Sequence, residues 1–352
     1  MTFEQARAAF PVLERVAYLN AGTFGPLARA TVEAMHAELV RDLERGRSGA
    51  DVFERALALR AELRERVAAL VGVEAAQVAL TASSTDGCNI VLAGLDLGPG
   101  DEVVTTTDEH FGLLGPLHAS RARVLVVPPD PERILAAVGP RTRLLALSHV
   151  LWTTGALLPV HELRRRSGLP VLVDGAQSVG AVPVDASGLD FLTVSGQKWL
   201  CGPDATGALV VAEPERLRVA RPSSFSQQAF EPDGSFRPRP GAQRFEPNWI
   251  PVGSLVGLRT AIELAPDWRY ERAARQAERL RQVLGGRVEV VTPRERATIV
   301  SFRPEGEAAA DVVARLHDAG VVVREIPRHG LVRASVGWWT SDEDLDRLVA
   351  AL

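Results

Sequence analysis

Two long stretches, Ala28 to Arg47 and Val52 to Val71, carry apolar residues at helical spacing among many charges. That is the pattern of helices packed on a core through one face. The pattern then changes. Short, largely apolar runs lie at Val78–Leu80, within Pro99–Thr107, and at Ala122–Val127, Arg143–Leu147, Val171–Val173, Phe191–Val194 and Ala208–Ala212. Runs without polar alternation predict strands covered on both faces, as in a mostly parallel sheet. The last run is expected to reverse direction. Pro131–Val138 and Val160–Ser167 read as helices between strands, and Val78–Gly94 as strand, small-residue turn and helix.

Beyond Gly253, helices at Ser254–Leu264, Trp268–Leu284 and Ala308–Ala319 alternate with strands at Val288–Val291, Thr298–Phe302, Val321–Val323 and Leu331–Ala334. This alternation suits a smaller α+β lobe. A last helix follows Ser341, which heads a capping box. The expected fold is α/β, with a mostly parallel sheet flanked by helices in a large domain over 14–252. A small α+β domain covers 253–352, and residues 1–13 lead in as a short helix and connector. Residues 221–247, dominated by Ser, Gln, Pro, Gly and Arg, read as one long loop.

Composition narrows the function classes. A hydrophobic fraction of 46% and a charged fraction of 24% are ordinary for a globular chain. A net charge of -4 gives no attraction to nucleic acid or to an anionic membrane surface. No apolar run nears the roughly 20 residues of a spanning helix, and Met1–Arg7 has no apolar signal core. Cys88 and Cys201 are the only cysteines, which argues against a disulfide framework. No Cys/His cluster has metal-ligand spacing. These readings favour a cytoplasmic protein acting on a small molecule.

The chain has 40 cationic residues, and only Lys198 is a lysine. Arginine can replace lysine wherever a solvated charge suffices. It cannot replace an amine that must lose its proton and attack a carbonyl. Lys198 follows the apolar run Phe191–Val194, and Asp174 ends the run Val171–Val173. In parallel sheets ligands bind beyond the carboxyl ends of strands, so both residues belong at one rim. A lysine that can bind an aldehyde and an acid that can hold a pyridinium proton are what pyridoxal 5′-phosphate requires. After Val78–Leu80, Ser84 and Thr85 stand at a helix start, a position open to two uses: a plain N-cap or a phosphate cradle.

Asp174-Gly-Ala-Gln177 followed by Ser195-Gly-Gln-Lys198-Trp199 resembles the fold type I pyridoxal-phosphate enzymes of the class V aminotransferase family. That family also contains cysteine desulfurases and isopenicillin N epimerase-like proteins. The resemblance runs from Tyr18-Leu-Asn-Ala-Gly22 to Arg333-Ala-Ser335 and the helix after it. It implies that Lys198 forms the Schiff base and Asp174 holds the ring nitrogen. His110 would stack on the ring, and Gln177 would donate to its 3-oxygen. Ser84, Thr85, Ser195 and Gln197 would hold the phosphate. His149 would contact cofactor or substrate, Asn20 would lie in a loop beside the substrate, and Arg333 would grip its carboxylate. A homodimer is implied as well. The family's cross-subunit Gly-Thr is replaced by Asn248-Trp249, which puts that contact in doubt.

The implied activity is a class V aminotransferase-like reaction on an amino acid, by transamination or epimerisation. A C–S lyase is the alternative. No cysteine stands between Arg324 and Arg333, where desulfurases carry their persulfide thiol, so a protein persulfide relay is not expected. A binding protein that lost catalysis would have no reason to keep Asp174, Gln177 and Lys198 together.

Overall fold

The computed structural model describes all 352 residues. Helix α1 (Phe3–Ala8) starts at Thr2, whose hydroxyl accepts the Gln5 amide in a capping box. Strand β1 (Ala17–Tyr18) and the long helices α2 (Arg29–Arg45) and α3 (Ala50–Val71) follow. Then strands and helices alternate: β2 (Val78–Thr81), α4 (Ser84–Leu95), β3 (Glu102–Thr106), α5 (Phe111–Ala119), β4 (Arg123–Val127), α6 (Pro131–Ala136) and β5 (Thr142–Ser148). The series closes with α7 (Val160–Ser167), β6 (Val171–Asp174), β7 (Phe191–Ser195) and β8 (Gly207–Val211).

These strands form one sheet in the order β2-β8-β7-β6-β5-β3-β4. Only β8 runs against its neighbours, as expected for 208–212. Strands β2, β3, β6, β7 and β8 are buried along their whole length, which is why they show no polar alternation. Edge strand β4 keeps exposed positions. Leu63, Val67 and Val71 of α3 pack one face against Leu80, Leu145 and Val173. Ile90, Val91 and Leu113 from α4 and α5 cover the other.

Residues 221–247 are not one loop. Strands β9 (Gln227–Phe230) and β10 (Phe236–Pro238) make an antiparallel hairpin, and Gly241–Phe245 a 3-10 turn. The hairpin is largely exposed and polar, so no apolar run marks it. Glu246 anchors its end, buried, accepting from Arg60 at 2.6 Å and Arg64 at 2.8 Å.

The remaining elements are α8 (Val252–Leu264), α9 (Arg269–Leu284), β11 (Glu289–Val290), β12 (Ile299–Arg303), α10 (Ala309–Asp318), β13 (Val321–Val322), β14 (Arg324–Ile326), β15 (Leu331–Ser335) and α11 (Asp342–Ala350). Ser341 caps α11 reciprocally with Asp344. An antiparallel sheet runs β11-β12-β15-β14. Strand β14 was not expected, because Arg324-Glu325 breaks the apolar run. β1 pairs in parallel with β13, and Asn20 bridges Ser335. Ala17 and Leu19 therefore bury in the small-lobe core beside Val321 and Val332. Val252, Leu255 and Leu258 of α8 bury instead with α3 in the large core. We propose that the domain division falls after Leu264 rather than at 252/253, with residues 17–20 crossing into the small lobe.

Candidate active site

The carboxyl ends of β2, β3, β5, β6 and β7 open on one cleft. At one end lies the start of α4. Ser83 is the N-cap, its hydroxyl accepting from the Asp86 amide at 3.1 Å. Ser84 and Thr85 are thus the first helical residues, and their amides donate to no protein group. Free first-turn amides and the helix dipole make an anion cradle. The Ser195 hydroxyl reaches across to Ser84 Oγ at 3.1 Å. Gln197 lines the same cleft, and its Oε1 is buried without a partner.

Asp174, 5% exposed, sits in the floor. Its Oδ1 accepts from the Ala176 amide at 2.9 Å and from Thr193 Oγ1 at 3.3 Å, while Oδ2 takes no bond from the protein. Gln177 donates to the Gly22 carbonyl at 2.9 Å and accepts from the Trp199 indole at 2.9 Å. These bonds fix its amide orientation and leave one N–H for a ligand. Lys198 lines the cleft. Burial lowers its pKa to about 8, opposed by Asp174. A neutral amine is thereby within reach near physiological pH.

His110 borders the cleft from the start of α5. Its Nδ1 accepts from the Gly112 amide at 3.0 Å, so Nε2 carries the proton. Burial, then Lys198, lowers its pKa and keeps the ring neutral. Trp152 meets it edge-on, with ring centroids 5.1 Å apart.

Arg333, on β15, is 1% exposed and pairs with no acid. It donates to the Trp152 carbonyl at 3.1 Å and to Thr23 Oγ1 at 3.2 Å, and its Nε has no partner. Burial lowers its pKa to about 9, with Arg324 adding to the effect. Gly22 makes room for it, since a Cβ there would lie 2.8 Å from the guanidinium.

Three expected residues do not border this cleft: Arg333, which sits behind Trp152, and His149 and Asn20. His149 does not border the cleft; Ser148 does. Ser148 is the register partner of Asp174. Side chains alternate along a strand, so the next residue turns to the other face. Burial and His161 lower the His149 pKa to about 4. Asn20 also stands outside the wall, where its Oδ1 accepts from Thr23 Oγ1 at 2.8 Å. Ser83, Ser148, Thr23 and Arg324 were not foreseen. Ser148 could have been found by counting strand alternation back from the register of Asp174.

The free amides, the unpaired Asp174 oxygen and the depressed lysine fit pyridoxal 5′-phosphate. The sheet and this donor set define a fold type I pyridoxal-phosphate enzyme. The aminotransferase class-V family model matches residues 17–348, and the chain belongs to that family. Isopenicillin N epimerase of Streptomyces clavuligerus is 30% identical over 99% of this chain and 97% of its own. A probable cysteine desulfurase of Pseudomonas putida is 30% identical over 82% and 80%. Among solved structures, a variant of C-DES with glycine covalently linked to its PLP cofactor superposes with a TM-score of 0.91, at 28% identity over 98% of both chains. The cystine C–S lyase C-DES in complex with cysteine persulfide gives 0.90, at 28% identity over 97% of this chain and 98% of the other. Pyridoxal 5′-phosphate is the cofactor of this enzyme.

Proposed function

We propose that the enzyme acts on a free α-amino acid, removing the Cα proton, and that the outcome is transamination or epimerisation. The carrying observation is Arg333. It is a buried guanidinium with no acid of its own, bonded to the carbonyl of Trp152, which borders the cleft with Lys198. An α-carboxylate would supply the missing counter-charge through a two-point contact.

Bound pyridoxal phosphate supplies the aldehyde that captures the substrate amine and the ring that accepts electrons from a breaking Cα bond. Ser84, Thr85, Ser195 and Gln197 would hold its phosphate. Asp174 would hold the proton on the ring nitrogen, and Gln177 would donate to the 3-oxygen. Lys198 would take the Cα proton. His110, with Nδ1 occupied by the Gly112 amide, would stack on the ring and has a hydrogen bond, not an acidic proton, to give from Nε2.

C–S lysis is the second reading. Cys88 and Cys201 are both buried, burial pushes both thiols up, and neither borders the cleft. Sulfur released here would have no protein carrier, which supports a lyase of the C-DES kind over a persulfide relay. The experiment is incubation of holoenzyme with single amino acids in D2O. Deuterium at Cα with loss of optical purity, or keto-acid formation, supports the first reading. Sulfide and pyruvate from a sulfur amino acid support the second. No exchange with any amino acid sinks both.

A homodimer belongs to the same proposal. Leu39 and Leu43 of α2 are 63% and 84% exposed, an apolar face that a second copy would cover. Sedimentation velocity tests this, and a monomer at micromolar concentration would contradict it.

A further inference from the structure

Arg333 does not stand alone. Arg324 on β14 is its register partner across the antiparallel pair. The Arg324 guanidinium donates to Thr23 Oγ1 at 3.1 Å, the same hydroxyl that Arg333 reaches at 3.2 Å. The two cationic tips therefore lie side by side, one hydroxyl between them. No carboxylate of the chain pairs with either, although most buried or half-buried arginines here have an acid. Arg60 and Arg64 share Glu246, Arg7 holds Asp344, and Arg296 holds Glu278. Adjacent like charges with no counter-ion are costly once water is removed. A ligand with one negative charge balances one of them.

Two donors beside this pair also lack partners. They are Arg333 Nε and the indole Nε1 of Trp152, both buried. Trp152 borders the cleft, and its carbonyl holds Arg333. Through the bond from Arg333 to the Trp152 carbonyl, these donors lie together at the Trp152 side of the cleft. Arg324 also acts on the pKa of Lys198 and of His110, so its charge is felt at the reacting end.

Resting on the amino-acid reading above, we propose that the substrate is a dicarboxylic or equivalently dianionic amino acid. Its α-carboxylate binds Arg333, and its second anionic group binds Arg324 and the Trp152 indole N–H. Both contacts are charge-assisted or buried, so each discriminates more strongly than an apolar wall could.

Glutarate and valerate test this without turnover, because they have equal length and differ in one terminal carboxylate. With holoenzyme, calorimetry should give glutarate about tenfold tighter binding than valerate, or more. Arg324→Gln should remove that preference, costing glutarate far more affinity than valerate. Trp152→Phe, which keeps the ring and loses the N–H, should reduce the preference partway and stands in if Arg324→Gln does not fold. Equal affinities in the parent enzyme overturn the proposal. So does an Arg324→Gln enzyme weakened equally for both acids, which would mean that the two arginines share one carboxylate. If monocarboxylic amino acids exchange their Cα proton in D2O as fast as L-glutamate or L-2-aminoadipate, the diacid inference fails and the amino-acid reading stands. If no amino acid exchanges and neither acid binds, both fail.

Discussion

Gly25 lies directly on the main chain of Lys198. Its amide donates to the Gln197 carbonyl at 2.8 Å, and a Cβ at this position would overlap the Lys198 carbonyl oxygen and press on Cys201. Only glycine allows so close an approach of two backbones. Gly25→Ala should therefore displace the lysine loop. A loss of about 1–3 kcal/mol in stability is expected, with reduced cofactor occupancy. Thermal unfolding and the absorbance of bound cofactor check it; unchanged values for both would mean the turn yields freely.

Lys198 should be the one residue that holds the cofactor covalently. Borohydride reduction of holoenzyme followed by peptide mass spectrometry should find the pyridoxyl adduct on the peptide containing Lys198. Lys198→Arg should carry no adduct, because a guanidinium stays protonated. An adduct elsewhere, or unmodified Lys198 in reduced holoenzyme, would refute the assignment.

Arg333→Ala should weaken binding of carboxylate ligands by roughly 1.5–3 kcal/mol or more, the loss of a charge-assisted contact. Arg333→Lys should recover only part, since an ammonium lacks the planar fork. Titration of holoenzyme with valerate measures this without requiring turnover. Unchanged affinity in Arg333→Ala would move the α-carboxylate to another donor.

Glu109 gives a pH prediction. It is buried between strand ends and accepts from the Ser148 amide at 3.0 Å, the Ser148 hydroxyl and Thr106 Oγ1 at 2.8 Å. Burial outweighs these bonds and raises its pKa from the ordinary 4.5 to about 7. The folded state then holds this proton more tightly than the unfolded chain. Its stabilising effect is full below about pH 4.5 and is lost as pH rises to about 7, at most about 3 kcal/mol. Glu109→Gln, neutral throughout, should lose less stability than the parent between pH 5 and pH 8. Denaturant titrations at both values measure it, and parallel slopes would contradict the shift.

Most strands of the large sheet were legible because burial on both faces leaves short, largely apolar runs without polar alternation. The reversed β8 was legible for the same reason, and helix α7 from Val160 and Leu163 at helical spacing in an otherwise charged segment. Asp174 and Lys198 were legible from chemistry, since one lysine among arginines has few ordinary explanations. The hairpin of β9 and β10 was not, because exposed strands need no apolar signature. The placement of His149 failed on a single residue of alternation, which a motif match cannot see. Arg324 was hidden by its surroundings, one arginine among many until β14 aligned it with Arg333. The crossing of β1 into the small lobe could not be read either, since a two-residue strand has no period.

Lys198 sits deep in the cleft, and every other cationic side chain is a guanidinium. Reagents that acylate amines thus meet one side chain in the whole protein, and they meet it only through the mouth of the active site. Apart from the terminal amine, such a reagent acts as a titrant of vacant sites. Bound cofactor shields its target, and the extent of labelling counts the molecules that have lost it.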